Sequence, residues 1–350
     1  MKIRLADKEI SDQSPTFIVA ELSCNHLGDF ELAKKTLIAA KEAGADAIKL
    51  QTYTADTMTI PCDNPNFQIS HGTLWDGMTL HKLYQEAMTP WEWHKPLFDL
   101  AKELDLICFS TPFDKSAVDF LETLNTPVYK LASFEIHDIP LIRYIARQKK
   151  PIIMSKGMAT LEDLERAVQT CREEGNDQII LLQCTSTYPT ALEEANLRTI
   201  PDMAARFGCL VGLSDHTSDL TAAITSIALG AKVIEKHLIL DRELGAHDAA
   251  FSITPEELKT LVQEIRKVEK LLGRPSYDLP PRAEQNKKFS RSLYIVKDVA
   301  EGEELTEENV RSIRPGNGMH PMHLPEVLGQ RAARSLRAGT PLEPNLIQEK

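Results

Sequence analysis

Two neighbouring stretches of the sequence, each with a histidine at its end, decide the fold. The first reads Cys209-Leu-Val-Gly-Leu-Ser-Asp-His-Thr217 and the second reads Ala231-Lys-Val-Ile-Glu-Lys-His237. Each begins with an apolar run typical of parallel strands that are covered on both faces. In a closed barrel of parallel strands, the carboxyl ends of neighbouring strands lie side by side on one rim. His216 and His237 are therefore predicted to share a divalent metal that keeps coordination positions open for substrate.

The same pattern recurs along the chain. Apolar runs that end on polar or ionisable side chains occupy residues 16–21, 45–50, 106–110, 128–132, 151–155, 178–184, 209–213 and 232–237. Segments with helical spacing separate them, which predicts an α/β fold, a (β/α)8 TIM barrel rather than a doubly wound sheet. A lone histidine beside a strand is more often structural than a ligand. Eight polar strand ends instead predict one pocket, because buried charges are costly unless they are paired.

The polar strand ends supply candidate ligands for an anion. Two of them are the cations Lys49 and Lys130. The accompanying hydroxyl donors are Thr111, Ser133, Ser155 and Ser214. Two lysines with several hydroxyls suit a phosphate and a carboxylate together, as in phosphoenolpyruvate. A Schiff-base aldolase also uses a strand lysine, but a metal that polarises a carbonyl makes an iminium unnecessary. The carboxylates Glu21, Glu135 and Glu235 are candidates to position water, to move protons or to pair with the lysines.

Composition limits the classes of partner. The 350 residues carry a formal net charge of -11 and no dense basic tract, so we expect no nucleic acid partner. No glycine-rich phosphate loop follows a strand, so we expect no nucleotide cofactor. The six cysteines are scattered, no signal peptide is recognisable, and no run of about 18 apolar residues occurs. We therefore expect a cytoplasmic protein with no membrane partner.

The chain is predicted to contain two domains. A barrel over residues 1–272 precedes a linker over residues 273–290 that contains Pro275, Pro280 and Pro281. Short strand and turn signals over residues 291–350 indicate a small β-rich domain. Within the barrel, the interval from Leu50 to Leu106 is too long for one helix. It predicts an insertion over the rim, where loops determine substrate selectivity.

The motifs, taken together and in order, resemble those of the sialic acid synthase family. They are Ala20-Glu-Leu-Ser-Cys-Asn-His26, Ile48-Lys-Leu-Gln-Thr-Tyr53, Phe109-Ser-Thr-Pro-Phe113, Tyr129-Lys-Leu-Ala-Ser-Phe-Glu135, Ser155-Lys-Gly-Met158, Cys184-Thr-Ser-Thr-Tyr-Pro189, Gly212-Leu-Ser-Asp-His-Thr217 and Glu235-Lys-His237. Three C-terminal stretches resemble that family's antifreeze-like (SAF) domain: Arg291-Ser-Leu-Tyr294, Ile313-Arg-Pro-Gly-Asn-Gly318 and Leu328-Gly329. The resemblance implies a TIM barrel followed by a small β-rich SAF domain.

Within the family, five motifs, most of them in the insertion, are most similar to the branch that makes the nine-carbon acid pseudaminate. The motifs are Gln51-Thr-Tyr-Thr-Ala-Asp56, Gly72-Thr-Leu-Trp-Asp76, Leu83-Tyr84, Thr89-Pro-Trp-Glu-Trp-His94 and Ser133-Phe-Glu135. This similarity implies a transferase that condenses phosphoenolpyruvate with an acetamido-deoxyhexose, 2,4-diacetamido-2,4,6-trideoxy-altrose, to give pseudaminate and phosphate. The alternative is a synthase of N-acetylneuraminate or legionaminate. A keto-acid phosphate synthase leaves the C-terminal module unexplained, and a non-catalytic carbohydrate-binding or ice-binding scaffold leaves the rim lysines and histidines unexplained.

The resemblance also implies a role for each candidate site residue. His216 and His237 would hold Mn2+, Mg2+ or a similar ion, and they count as catalytic together with Glu21, Lys130 and Glu135. The residues expected to bind phosphoenolpyruvate are Lys49, Thr111, Lys130, Ser133, Ser155 and Ser214. Those expected to contact the sugar are Glu21, Gln51, Tyr188, Asp248 and Arg314. Glu135 would lie near the attacking water.

Arg314 carries an expectation about the assembly, because in this family the SAF domain reaches the active site of the partner subunit. The resemblance therefore implies a homodimer with swapped C-terminal domains. Two residues depart from the family pattern. Lys156 stands where a threonine is usual, and Ser186 stands where an asparagine is often found.

Overall fold

A computed structural model describes residues 1–70 and 75–348 of the chain. Residues 72–74 of the insertion motif and the last two positions of the expected SAF domain therefore lie outside the described residues. The chain divides into two compact units, Met1–Gly273 and Arg274–Lys350. Among the described helices, none combines the length and the apolar content needed to cross a bilayer.

The first unit contains a closed barrel of eight parallel strands. A short antiparallel hairpin precedes it, formed by β1 (Lys2–Leu5) and β2 (Lys8–Ser11). The barrel strands are β3 (Phe17–Glu21), β4 (Ala47–Thr52), β5 (Ile107–Pro112), β6 (Tyr129–Leu131), β7 (Ile152–Ser155), β8 (Ile179–Cys184), β9 (Leu210–Asp215) and β10 (Val233–His237). Each strand pairs with the next one along the chain, and β10 pairs with β3 to close the barrel. The predicted TIM barrel is confirmed.

Helices connect the strands and cover the outside of the barrel. They are α1 (Phe30–Ala43), α2 (Ala55–Met58), α3 (Leu80–Ala87), α4 (Trp91–Glu103), α5 (Lys115–Thr123), α6 (Ile139–Ala146), α7 (Leu161–Glu173), α8 (Thr199–Phe207), α9 (Thr221–Ala228) and α10 (Pro255–Leu272). Capping boxes begin α7 at Thr160 and α10 at Thr254, formed with Asp163 and Glu257. The long interval between β4 and β5 contains three of these helices, α2, α3 and α4.

The barrel interior changes from apolar to polar along the strands. Near the amino ends, Phe17, Phe109 and Leu182 belong to an apolar cluster that also includes Ile3 and Leu5 of the hairpin. Near the carboxyl ends, buried polar residues occupy positions of the same inward parity. These are Glu21, Lys49, Thr111, Lys130, Ser155, Ser214 and Glu235. Because side chains alternate across a strand, this parity directs the polar groups to one end of the barrel.

The second unit is small and β-rich. Its antiparallel strands are β11 (Ser292–Ile295) and β12 (Val310–Ile313), and its short helices are α11 (Pro281–Gln285) and α12 (Leu324–Val327). Leu293, Val310 and Leu342 are among its buried core residues. The segment expected to be a plain linker contains α11, because Pro281 occupies the first helical position, where a proline is well tolerated.

Candidate active site

A cavity of about 420 Å³ lies at the carboxyl ends of the barrel strands. Most of the predicted site residues line it: Lys49, Gln51, Lys130, Ser133, Glu135, Ser155, Tyr188, Ser214, His216, Glu235, His237 and Asp248. Glu21 and Thr111 are fully buried and are not among its lining residues, although both contact Lys49. Arg314 belongs to the second unit. The barrel thus brings together residues that are up to about 200 positions apart in the chain.

Two buried lysines and two buried carboxylates form a network at the base of the cavity. Lys49 Nζ lies 2.7 Å from Glu21 Oε2 and 3.4 Å from Glu235 Oε1. Lys130 Nζ lies 3.7 Å from Glu235 Oε1 and donates to Ser155 Oγ at 2.7 Å. Ser214 Oγ also donates to Glu235 Oε1 at 3.1 Å. This pairing offsets the cost of removing the four charged groups from water.

The charge state of this network follows from burial and pairing. Burial opposes ionisation of Glu235, but Lys130 and Lys49 hold the pKa of this carboxyl at about 2. Burial also acts to lower the pKa of Lys49, and Glu21 and Glu235 raise it above its usual value instead. Burial lowers the pKa of Lys130 despite the attraction of Glu235. Lys49 and Lys130 are therefore buried cations beside the cavity, where an anion would be attracted more strongly than in bulk water.

The two predicted metal-binding histidines are neighbours. The ring centroids of His216 and His237 are 5.3 Å apart, and Tyr188 lies 4.5 Å from the His216 ring. His216 Nδ1 contacts the carbonyl oxygen of Thr185 at 3.3 Å. That contact occupies Nδ1 and leaves Nε2 as the nitrogen available to a ligand. Burial and the neighbouring His237 lower the pKa of His216 to about 3, so its ring is neutral, as a metal ligand must be.

The donor set fits a metal site that is completed by substrate or water. Within residues 1–70 and 75–348, no group of three or more His, Cys, Asp or Glu side chains is arranged to hold a metal ion. A pair of imidazoles remains. Thr185 contacts His216 from behind, and Asp248 Oδ2 lies 3.2 Å from His237 Nδ1, a buried nitrogen that makes no hydrogen bond within the described residues. Such outer partners orient metal-binding imidazoles. The residues therefore fit an open site and do not form a closed structural one.

Sequence reasoning missed Ser23, which joins three of the predicted sugar contacts. Its Oγ donates to Asp248 Oδ2 at 2.5 Å and accepts from Gln51 Nε2 at 3.0 Å, and Gln51 Nε2 also donates to Glu21 Oε1 at 3.0 Å. The backbone φ of Ser23 is +47°, in the left-handed region that costs a non-glycine residue about 1 kcal/mol. A hydroxyl two residues after a polar strand end was the available signal.

A second missed feature is a buried ion pair between the strand ends that carry the histidines. Lys236 Nζ lies 2.8 Å from Asp215 Oδ2 and donates to the carbonyl oxygen of Thr217 at 2.7 Å. Both side chains of the pair are 1% exposed. A lysine within an apolar strand run was the signal in the sequence. The pair ties the end of β9 to the end of β10, next to His216 and His237.

The two departures from the family pattern differ in their positions. Ser186 Oγ donates to Ser133 Oγ at 2.9 Å, so it supports a cavity residue. Lys156 is half-buried and is not among the residues that line the cavity. Gly157 follows Lys156 in the chain, and an added Cβ there would stand 2.0 Å from Ser133 Cβ and 2.6 Å from Ser186 Oγ. Only a glycine permits this close approach.

A TIM barrel with paired lysines and paired imidazoles at the carboxyl ends of its strands has the design of a catalytic site for an anionic substrate. The chain matches the NeuB family over residues 36–277 and the SAF domain over residues 290–348. This chain belongs to the NeuB family.

Curated relatives are similar over nearly the whole chain. The chain is 45% identical over 332 residues to a pseudaminic acid synthase of Campylobacter jejuni, covering 95% of this chain and 96% of that protein. It is 47% identical over 335 residues to a pseudaminic acid synthase of Helicobacter pylori, covering 95% and 98%. It is 36% identical over 336 residues to an N,N'-diacetyllegionaminic acid synthase of Legionella pneumophila, covering 93% of each.

Proposed function

We propose that this chain is a pseudaminic acid synthase, a transferase that condenses phosphoenolpyruvate with 2,4-diacetamido-2,4,6-trideoxy-altrose to give pseudaminate and phosphate. The chemistry is carried by one observation: buried Lys49 and Lys130 line the same cavity as the imidazoles of His216 and His237. The choice of sugar is supported by the two pseudaminic acid synthases at 45% and 47% identity, against 36% for the legionaminic acid synthase.

The lysine network would bind phosphoenolpyruvate. Lys49 and Lys130 would counter the charges of its phosphate and carboxylate, and their Coulomb attraction is strong because both side chains are buried. Of the four predicted hydroxyls, those of Ser133, Ser155 and Ser214 line the cavity and are placed to donate to these groups, whereas the buried Thr111 would act through its contact with Lys49. Three of them already contact the network: Thr111 is 3.2 Å from Lys49 Nζ, Ser155 is 2.7 Å from Lys130 Nζ, and Ser214 is 3.1 Å from Glu235 Oε1.

Glu135 is suited to move a proton. Its Oε2 is buried and makes no hydrogen bond within the described part of the chain, and burial raises the pKa of this carboxyl to about 7. A general base works best when its pKa is near the working pH. Glu135 would accept a proton from the water that adds to C2 of phosphoenolpyruvate after C3 has attacked the aldehyde of the open-chain sugar.

The remaining predicted residues would orient the sugar. Gln51, Tyr188 and Asp248 line the cavity beside the imidazoles. Glu21 does not line the cavity, but it accepts a hydrogen bond from Gln51, so it would act on the sugar through Gln51. A divalent ion such as Mn2+ or Mg2+, held by His216 and His237, would supply Lewis-acid polarisation of the aldehyde oxygen. Because phosphoenolpyruvate is an intracellular metabolite, we also propose a cytoplasmic location.

Phosphate release and product mass test the function. Purified protein with phosphoenolpyruvate is given the diacetamido-trideoxy-altrose, the legionaminate precursor or N-acetylmannosamine, each with Mn2+ or Mg2+. We expect the nine-carbon acid and one equivalent of phosphate mainly from the first sugar. Preferred use of N-acetylmannosamine or of the legionaminate precursor would reject the choice of acceptor.

The metal is tested by binding as well as by turnover. Chelation is expected to abolish phosphate release, and Mn2+ to restore it. In calorimetric titration, His237→Ala is expected to lose Mn2+ binding, whereas His247→Ala, a change at another histidine that lines the cavity, keeps it within about threefold. Undiminished Mn2+ binding after both His216 and His237 are changed to alanine would refute the ligand assignment.

We further propose a homodimer in which the SAF domain of one subunit supplies Arg314 to the sugar site of its partner. Arg314 follows directly after β12 and is exposed within its own chain, as a residue that acts on a partner must be. The SAF domain match over residues 290–348 supports this layout.

A further inference from the structure

The cavity has a second side whose chemistry differs from that of the lysine network. The segment between β4 and β5 contributes eight lining residues to it. Two are Tyr53 and Trp75, and the other six are Met58, Ile69, Leu80, Leu83, Tyr84 and Ala87. We refer to these six as the apolar wall. Tyr84 is the one member whose side chain carries a hydroxyl. The same cavity therefore combines charged groups from the strands with a hydrocarbon surface from the insertion.

The apolar wall is held in place by its own segment. The backbone N–H of Ile69 donates to the carbonyl of Met78 at 2.9 Å, and that of Gly77 donates to the carbonyl of Ile69 at 2.9 Å. The Thr79 side chain caps the start of α3, which carries Leu80, Leu83, Tyr84 and Ala87. Ile69 and Leu83 are largely buried, so only small parts of their side chains face the cavity.

Aromatic contacts connect the wall to the barrel. The ring of Tyr84 meets the ring of Tyr53 edge-on at 5.8 Å, and Tyr53 meets Phe113 edge-on at 5.1 Å. Tyr53 and Phe113 immediately follow β4 and β5, so α3 rests on two strand ends. A wall packed in this way is formed before substrate arrives, which is typical of binding sites.

An apolar wall discriminates between methyl and hydroxyl groups. A methyl group placed against it gains from leaving water. A hydroxyl placed against the aliphatic side chains of the wall loses its hydrogen bonds to water and gains no partner from them, which disfavours binding. The aldehyde end of the acceptor must lie at the imidazoles and phosphoenolpyruvate, so the far end of the six-carbon chain is the part free to reach the wall.

We propose, on the basis of the proposed function, that the apolar wall binds the C6 methyl of a 6-deoxy acceptor and the acetamido methyl beside it. Leu83 and Ile69 then act as specificity-determining residues. They select diacetamido 6-deoxyhexoses and reject sugars such as N-acetylmannosamine, whose C6 carries a hydroxyl. The apolar wall selects this class of sugar, and the polar groups at the strand ends select the stereochemical configuration of the sugar within the class.

Two acceptors that differ by one oxygen atom test this inference. One is 2,4-diacetamido-2,4,6-trideoxy-altrose, and the other is the same sugar with a hydroxyl at C6. We expect the wild-type protein to favour the 6-deoxy sugar by about tenfold or more in kcat/KM, in the range observed for one apolar group in a pocket. Leu83→Ser is expected to reduce this ratio by about fivefold, because the serine hydroxyl offers the C6 hydroxyl a partner.

Matched variants separate selectivity from stability. Leu141→Ser removes a buried leucine of α6 that does not line the cavity, so it lowers stability and leaves the acceptor ratio unchanged. KM for phosphoenolpyruvate is expected to stay within about twofold in Leu83→Ser, because the lysine network is intact. If Leu83→Ser fails to fold, Leu80→Ser at the half-buried start of α3 provides the same readout.

Equal use of the two acceptors by the wild-type protein would overturn the inference, as would an acceptor ratio that Leu83→Ser and Leu80→Ser leave unchanged. Either outcome leaves the proposed function standing, because pseudaminate is still formed. Lack of product from both acceptors is a different result, since it would reject the proposed function itself and the inference with it.

Discussion

Lys130 shows how much one buried cation contributes to the site. Its Nζ contacts Ser155 Oγ at 2.7 Å and the carbonyl of Leu131 at 3.0 Å, with Glu235 at 3.7 Å. We expect Lys130→Met to lower kcat/KM for phosphoenolpyruvate by about 100- to 1000-fold, the usual cost of removing a preorganised donor from a dry active site. Initial-rate assays of phosphate release measure the effect.

Lys156 provides the matched control, because it follows Ser155 directly and carries the same charge without lining the cavity. Lys156→Met is expected to change kcat/KM by no more than about twofold, as for a charge outside the contact zone. A loss as large as that in Lys130→Met would place the phosphoenolpyruvate site elsewhere on the rim.

Glu135 links the site to the pH dependence of stability. Burial raises the pKa of Glu135 from 4.5 to about 7, so the native protein holds this proton more tightly than the unfolded chain does. The stabilisation is complete below pH 4.5 and is lost as the pH rises toward 7. Glu135→Gln removes the cost of ionising a buried carboxyl, so it should be more stable than the wild type by about 3 kcal/mol at pH 8.

Urea unfolding at pH 5 and at pH 8 measures this difference. The gain from Glu135→Gln should be clearly smaller at pH 5, where most Glu135 side chains are protonated. Glu165→Gln, a change at an exposed glutamate of α7, should show no such trend. A gain for Glu135→Gln that is equal at both pH values would contradict the burial argument.

At the scale of elements, the ion pair of Lys236 and Asp215 holds two strand ends together. Lys236→Met leaves the Asp215 carboxylate buried without its cation, which should cost about 3–5 kcal/mol in the free energy of unfolding. The double variant Lys236→Met, Asp215→Leu removes both charges and should recover at least half of that loss. Urea denaturation of the three proteins gives these values.

The exposed pair of Arg206 and Asp202 on α8 is the control for this experiment. Its atoms are 2.7 Å apart, similar to the buried pair, but both side chains are 52% exposed. Arg206→Met should therefore cost less than about 1 kcal/mol. Equal losses from Lys236→Met and Arg206→Met would mean that the buried pair does not brace the strand ends.

The insertion shows what a sequence predicts about an element and what it does not. The distance along the chain from Leu50 to Leu106 indicated an insertion over the rim, and its position there suggested a role in selectivity. The helices α2 and α3 were not predicted, because segments of 4 and 8 residues carry too little periodicity to identify them. Their apolar residues become a wall only when packed against the barrel.

At the scale of the whole molecule, a swapped dimer predicts complementation between two defective subunits. A dimer of one Arg314→Ala subunit and one Lys130→Met subunit has one site with both native residues, if each site takes Arg314 from the partner. Random co-assembly makes half of the dimers mixed, so the unfractionated mixture should recover about a quarter of the wild-type activity and the isolated mixed dimer about half.

Co-expression of differently tagged subunits, followed by purification on both tags and light scattering, isolates the mixed dimer. Arg314→Ala alone should lower turnover while the thermal unfolding midpoint stays within about 2 °C of the wild type. Mixed dimers that are no more active than the two parent variants would reject the swap.

The sequence alone determined the barrel, because apolar runs, capping boxes and polar strand ends are local patterns. All eight predicted strands occur within two residues of the expected positions. It also indicated which side chains reach the rim, because parity along a strand is a local property. The resemblance to the sialic acid synthase family extended this information to the expected reaction and to the SAF domain.

The tertiary structure decided which of those side chains meet. Closure of the barrel, with β10 against β3, brings Glu21, Lys49 and Glu235 into one network, although they are separated by 28 to 214 positions in the chain. It also placed Glu21 and Thr111 beneath the cavity and revealed Ser23 and the pair of Lys236 and Asp215. Distances between residues far apart in the chain depend on how the strands and helices pack, and no local pattern encodes them.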